Sequence, residues 1–325
     1  MIKKQRNKPL KLRQLESLYK RLHASHPKQQ QIEKALSNYA AGYRGEQSID
    51  YHLTFLNPAH MIFHDLRLRN SLGYFQIDTL ILTSSFFLII EVKNIAGTLS
   101  FDPHRYQMVR KVNGTVEGFS DPRLQVKRHH LQFEKWLEQQ QIPIPPIYKV
   151  VVISFPTTII EAPSSSLEKV IHAAQLPYDI LELEMQHPNL TISPKSMEQI
   201  ASRLKRHHRP LDTNMVQHFE IDPGAIKSGV QCEACDEIPM KYSTGWKCAV
   251  CGHRSKNTHI KALIDCALLF QTTITNEQSC HFLGLPSRKT GTRILRSLQL
   301  KHNHKHKGRT YDLSSLLAIV PIERK

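Results

Sequence analysis

Glu91 and Lys93 stand two residues apart in a chain of 325 residues, and Asp78 precedes them. Two acids and a lysine are the residue types that hold a divalent cation and steady a developing negative charge. The run ahead of Glu91, Phe86 to Ile90, is apolar and rich in aromatic and branched side chains. Phe86 to Val92 is therefore predicted to be a strand, whose alternation puts Glu91 and Lys93 on one face. Tyr74 to Leu82 reads as a second strand, with Thr83-Ser84-Ser85 as the turn between them. If the two pair, Asp78 falls beside Glu91. Close carboxylates repel unless something positive sits between them, and Mg²⁺ or Mn²⁺ suits oxygen ligands there. Lys93 can then stabilise charge or help deprotonate an attacking water. The same spacing also fits a plain Glu–Lys ion pair where a strand emerges at a sheet edge.

A second constellation is Cys232-x-x-Cys235 and Cys248-x-x-Cys251, twelve residues apart. Each pair can grip a metal from a tight turn, and together they complete a tetrahedral Zn²⁺ site. Four protein ligands leave no open position, so this zinc is expected to be structural, in a zinc ribbon covered by Trp246. His253 is a further nitrogen nearby. Cys266 and Cys280 read as core.

The elements that must position these groups follow from periodicity. Ile32, Leu36, Tyr39, Tyr43, Ile49 and Leu53 recur at helical spacing from Gln31 to Leu56, and Asn57-Pro58 stops the helix. Glu46 lies on that apolar stripe, so its carboxylate is expected to face the sheet. Met61 to Leu68 reads as a strand, and Asn113-Gly114 as a hairpin turn. Asp121-Pro122 opens a helix to about Gln140, with Gln125 one turn in. Tyr148 to Phe155 has the continuous apolar character of a buried strand. A weaker strand lies at Leu167 to Ala173. Ser193-Pro194 begins another helix, ending in the basic cluster Arg203 to Arg209.

These segments carry a specific resemblance. Gly42-Tyr43-Arg44-Gly45-Glu46, His64-Asp65-Leu66-Arg67-Leu68, Gln76-Ile77-Asp78-Thr79-Leu80-Ile81-Leu82 and Ile90-Glu91-Val92-Lys93-Asn94-Ile95-Ala96-Gly97 resemble, in order and spacing, the NERD (nuclease-related) domain. Asp121-Pro122-Arg123-Leu124-Gln125 is similar to its later Asn-Pro-x-x-Gln motif, with Asp in place of Asn. The similarity spans about residues 38–155. It implies the restriction-endonuclease-like fold, an α/β domain with a mixed sheet flanked by helices. It further implies that Asp78 and Glu91 are metal ligands, that Lys93 is the catalytic lysine, and that Glu46 and Gln125 are the fold's extra helix carboxylate and downstream polar residue.

The C-terminal part has a different character. Ile260 to Phe270 and Asn276 to Phe282 read as helices, Gly284-Leu285-Pro286 as a turn, and Ser287 as the cap of a helix to about Leu298. That order resembles a helix-turn-helix, with Arg288, Lys289, Arg293 and Arg296 outward and Ile294, Leu295 and Leu298 inward. Lys301, Lys305, Lys307 and Arg309, interleaved with His302, His304 and His306, then suggest a basic wing. Over residues 228–325 there are fifteen Lys and Arg against seven Asp and Glu, half of the net +16 of the whole chain. A protein this basic usually meets a polyanion, because neutralising phosphates releases counterions.

The basic N-terminus (Lys3, Lys4, Arg6, Lys8, Lys11, Arg13) lacks an apolar core behind it, and no apolar run is long enough to cross a membrane. A cytoplasmic location is expected, with the cysteines as thiols or ligands rather than disulfides. The expected organisation is a basic segment at 1–27 with a short helix or an arm, a NERD-like nuclease domain at 28–209, and a linker at 210–227. A zinc ribbon at 228–256 and a winged-helix-like reader at 257–325 complete it. The function this implies is Mg²⁺- or Mn²⁺-dependent hydrolysis of DNA phosphodiesters. The alternatives are a DNA-binding protein with an idle site and an assembly adaptor that uses the ribbon.

Overall fold

The computed structural model describes residues 1–102, 105–161, 169–303 and 308–318. The chain divides into two compact units, one made of residues 1–8 and 39–211, the other of residues 9–38 and 212–325.

A six-stranded mixed sheet forms the middle of the first unit. Its order is Ile2–Lys4, Met61–Asn70, Gly73–Leu82, Phe87–Lys93, Ile147–Ile153, Lys169–His172. The three strands from Met61 to Lys93 are antiparallel neighbours, and the other pairings are parallel. Alternation decides what each face buries. Phe87 and Ile89, with Val151 and Ile153, pack against Val126, Phe133, Trp136 and Leu137 of the helix Pro122–Gln139 and Ile200 and Leu204 of the helix Pro194–His207. Leu88, Ile90 and Val92, with Val150 and Val152, pack against Ile49 and Leu53 of the helix Gln29–Leu53 and Leu176 and Ile180 of the helix Leu176–Gln186. Because Val150–Ile153 is buried on both faces, it needs no polar alternation, which is why that stretch is an unbroken apolar run. This is the mixed α/β sheet flanked by helices expected from the sequence.

Local chemistry sets the ends of these elements. The Asp121 carboxylate accepts from the Arg123 amide, and Pro122 occupies the first helical position. Ser193 caps the Pro194–His207 helix in the same way. Asn113 and Gly114 both have positive φ, 47° and 76°, as a two-residue hairpin turn requires. They join two strands of a separate four-stranded sheet, Thr115–Ser120, Gln107–Val112, Thr98–Asp102, Ile159–Glu161.

Two features differ from the sequence-based expectation. Ile2–Lys4, within the segment read as a basic helix or arm, is an edge strand. Helix Leu176–Gln186 has no counterpart among the predicted elements, because the exposed apolar side chains Tyr178, Leu181 and Met185 blur its buried stripe.

The second unit has two apolar clusters. Leu15 and Leu18 of the helix Leu10–Arg21 pack with Ile32, Met215, Val216, Ile221 and Ile226. Residues 210–227, expected as a linker, thus supply core side chains. The other cluster joins Val230, Met240 and Trp246 to Leu263, Ile274, Leu283, Leu295 and Tyr311. Between them, Arg21 Nε meets Asp265 Oδ2 at 2.8 Å, with both side chains buried. Removing one partner of such a pair typically costs about 3–5 kcal/mol.

Helix His259–Leu269 is followed by strand Thr273–Thr275 and helices Asn276–Leu283 and Arg288–Ser297. Strand Thr310–Asp312 pairs with Thr273–Thr275, and Tyr311 also bridges to His302. Gly284, at φ 67°, turns the chain between the last two helices, and the Ser287 hydroxyl caps the second. None of the described helices is long and apolar enough to cross a membrane.

Candidate active site

The ladder between Gly73–Leu82 and Phe87–Lys93 ends at Thr79 and Ile90. Beyond it, a side chain takes over the backbone's role: Asp78 Oδ2 accepts from the Val92 amide at 2.9 Å. On the neighbouring strand the ladder passes in register from His64–Thr79 to Leu66–Ile77 without pairing Asp65, which has φ 50°. Glu91 and Lys93 share the face toward the helix Pro122–Gln139. Lys93 Nζ donates to Glu91 Oε1 at 2.7 Å and to Gln125 Oε1 at 3.1 Å. One helical turn further, His129 Nδ1 lies 3.6 Å from Glu91 Oε2. Glu91 is 2% exposed, and neither of these two facing atoms has a hydrogen-bond partner.

Glu46 enters from the helix Gln29–Leu53. Gly45 lets that helix come close, since a methyl group there would stand 2.3 Å from Asn94 Cβ and 2.8 Å from Ser154 Oγ. Arg6, brought in by the edge strand, carries the countercharge. Its Nη1 donates to Glu46 Oε2 at 2.7 Å, and its Nη2 to Asp50 Oδ1 and Thr79 Oγ1, both at 3.1 Å. The same Nη2 lies 2.8 Å from His64 Nδ1.

The electrostatics follow from this crowding. Burial and then Asp78 push the Glu46 carboxyl up to about 8, against the pull of Arg6. Burial and then Asp78 push Glu91 up to about 8 too, against Lys93. Burial raises Asp78, opposed by the Val92 amide, Lys93 and Arg6. Carboxylates that resist losing their protons together mark a place where added positive charge is stabilising. Burial and the Arg6 and Lys4 cations lower His64 to about 3. Burial, then Arg128 and Lys93, lower His129 to about 4, so the imidazole is neutral at ordinary pH.

Asp78, Glu91, Lys93, Gln125 and Glu46 therefore converge in one unit. Sequence reasoning missed Arg6, Asp50, His64 and His129. Two of these carried a signal: Asp50 and His129 lie four residues beyond Glu46 and Gln125, and so on the same helix faces.

In the second unit, the Sγ atoms of Cys232, Cys235, Cys248 and Cys251 all lie within 4.8 Å of one another. Cys232 and Cys251 are 3.6 Å apart, and Cys235 and Cys248 3.5 Å. Among the described residues this is the one such group of three or more Cys, His, Asp or Glu. The oxygens of Glu46, Asp78 and Glu91 do not all close to that distance. The quartet is compatible with zinc, and a short sheet of Lys241–Tyr242, Trp246–Lys247 and Arg254–Ser255 accompanies it. The Cys251 amide is the main cause that lowers the Cys248 thiol to about 7. His253 is not a member of the group, and Cys266 is buried in the apolar cluster.

Arg288, Lys289, Arg293, Arg296 and Lys301 are exposed on or just after the helix Arg288–Ser297, and Arg309 is half-buried. Arg288 pairs with Glu277, and Arg293 donates to the Tyr242 hydroxyl at 2.6 Å. Lys305 and Lys307 lie outside the described residues.

No curated protein and no solved structure matches the chain. The family model of the nuclease-related domain, NERD, matches residues 41–154, a stretch that holds Glu46, Asp78, Glu91, Lys93 and Gln125.

Proposed function

We propose that this protein is a metal-dependent nuclease that hydrolyses phosphodiester bonds in DNA. The carrying observation is that Asp78, Glu91, Lys93 and Gln125 meet where two strands part, with Glu91 Oε2 buried and unpartnered. That orphaned oxygen, and carboxylates that hold their protons well above the usual range, fit a divalent cation. Asp78 and Glu91 would hold Mg²⁺ or Mn²⁺, which when bound polarises a phosphate and acidifies a water. The chain's own residues prepare the site. Gln125 and Glu91 fix Lys93 Nζ from two sides, so its charge is positioned before substrate arrives. The Val92 amide fixes Asp78. Arg6 and Glu46 set the charge behind Asp78.

Residues 228–256 would form a zinc ribbon on Cys232, Cys235, Cys248 and Cys251, and residues 257–325 a winged-helix-like DNA reader. Arg288, Lys289, Arg293, Arg296, Lys301, Lys305, Lys307 and Arg309 would contact DNA there. The support is the fold order, the exposure of the described basic side chains, and the absence of any acid between Arg288 and Arg309.

The test is incubation of the purified protein with plasmid and linear DNA, with and without Mg²⁺ or Mn²⁺, beside Lys93→Met. Metal-dependent cleavage by the wild type, lost in Lys93→Met, is the expected result. DNA binding without cleavage under any divalent ion would leave a DNA-binding protein with an idle site.

A further inference from the structure

Two buried polar atoms in the first unit face each other without a partner. Glu91 Oε2 and His129 Nδ1 are 3.6 Å apart, beyond hydrogen-bond distance, and neither bonds elsewhere. Leaving either one unsatisfied costs about 1–3 kcal/mol. The arrangement is nevertheless well held. Glu91 Oε1 is tied to Lys93, and Lys93 to Gln125, which lies one turn before His129 on the same helix. Oε2 thus faces Nδ1 from a carboxylate fixed at its other oxygen.

Their separation is informative. Two ligands bonded to one ion at about 2.1 Å, at angles between octahedral and trigonal, stand about 3.0–3.6 Å apart. The nitrogen is informative too. Imidazole suits transition ions such as zinc, copper, iron and nickel, and manganese accepts it beside oxygen ligands, whereas magnesium favours oxygen alone. Asp78 has no oxygen within 4.8 Å of both atoms, so the closed element is the pair.

We propose that His129 is a metal ligand, sharing with Glu91 a divalent transition ion such as Mn²⁺ and setting a preference for it over Mg²⁺. This rests on the nuclease reading of the Asp78–Glu91 site and adds to it a nitrogen ligand and a choice of ion. It also gives a reason for a histidine nitrogen buried beside a carboxylate to which it does not hydrogen-bond.

Binding of Mn²⁺ and Mg²⁺ to zinc-loaded full-length protein, measured by calorimetry, tests this without any cleavage assay. The wild type is expected to bind Mn²⁺ at least tenfold more tightly than Mg²⁺. His129→Ala should weaken Mn²⁺ at least tenfold while changing Mg²⁺ less than threefold. Pulsed electron paramagnetic resonance of the Mn²⁺-loaded wild type should show nitrogen coupling from a bound imidazole, and His129→Gln should lose it. Equal weakening of both ions, or coupling that survives in His129→Gln, overturns the assignment and leaves the carboxylate site standing. A wild type that binds neither ion overturns the carboxylate site as well.

Discussion

Gly45 and Asn94 touch so closely that a single methyl group on Gly45 would lie 2.3 Å from Asn94 Cβ. The helix bearing Glu46 rests on the sheet at this point, and the Asn94 amide donates to the Ala41 carbonyl beside it. Gly45→Ala must push the helix away and carry Glu46 with it. The variant is expected to fold, to melt several degrees lower by about 1–3 kcal/mol of overpacking, and to lose at least tenfold in cleavage rate. Unchanged melting and rate would mean that the helix can shift freely at no cost.

Proton uptake gives a second expectation. Glu46 and Glu91 keep their protons to about 8 in the folded chain, against about 4.5 for an ordinary glutamate. Between those values these two groups bind more protons in the folded state than in the unfolded one, so their contribution to stability falls as pH rises. Below about pH 6.5 the lowered His64 and His129 act in the opposite direction, so metal-free protein should melt at progressively lower temperature from pH 7 to pH 8.5, and Glu46→Gln should flatten the decline. A wild-type profile as flat as that of Glu46→Gln would count against the crowding of carboxylates.

The cysteine quartet predicts one zinc per chain. Cys248→Ser or treatment with a strong chelator should remove it. The surrounding core of Val230, Met240 and Trp246 should then loosen, seen as loss of a cooperative melting transition. Elemental analysis of protein purified without added metal is the check, and full zinc content in Cys248→Ser would exclude the quartet as the binding site.

DNA affinity is expected to depend on the outer face of the Arg288–Ser297 helix. Replacing Lys289 and Arg296 by Gln should weaken duplex binding. It should also make the fall of log affinity with log salt shallower by about 0.9 for each phosphate no longer neutralised. Point substitution is the cleaner route here. Cutting the chain after Pro223 would also strip Leu15, Leu18 and Ile32 of residues in their own unit. A salt dependence identical to wild type would point to the nuclease-related domain as the main DNA-binding surface.

Much of this was legible locally. The Glu91–Lys93 spacing on an apolar strand, the two Cys-x-x-Cys pairs and the Asp121 and Ser193 caps are signals a few residues long, and they need no knowledge of the fold. Gln125 required a resemblance, because an amide on a helix is ordinary until its face is known, whereas the apolar stripe of its helix already turned Glu46 toward the sheet. Arg6 was out of reach. It sits in a run of basic residues, and only the pairing of Ile2–Lys4 with a strand that begins at Met61 turns it inward. The core role of residues 210–227 was out of reach for a related reason. Met215, Val216, Ile221 and Ile226 are too scattered to show a period, yet they pack on helices far away in sequence.

The bond from the Val92 amide to Asp78 Oδ2 has a use of its own. In an ordinary ladder that amide proton would answer to another backbone group; here it answers to a carboxylate. Its exchange with solvent and its resonance frequency therefore track the charge on a single side chain. The molecule carries a built-in spectroscopic gauge of its proposed ion site, readable residue by residue without a label, a substrate or a turnover.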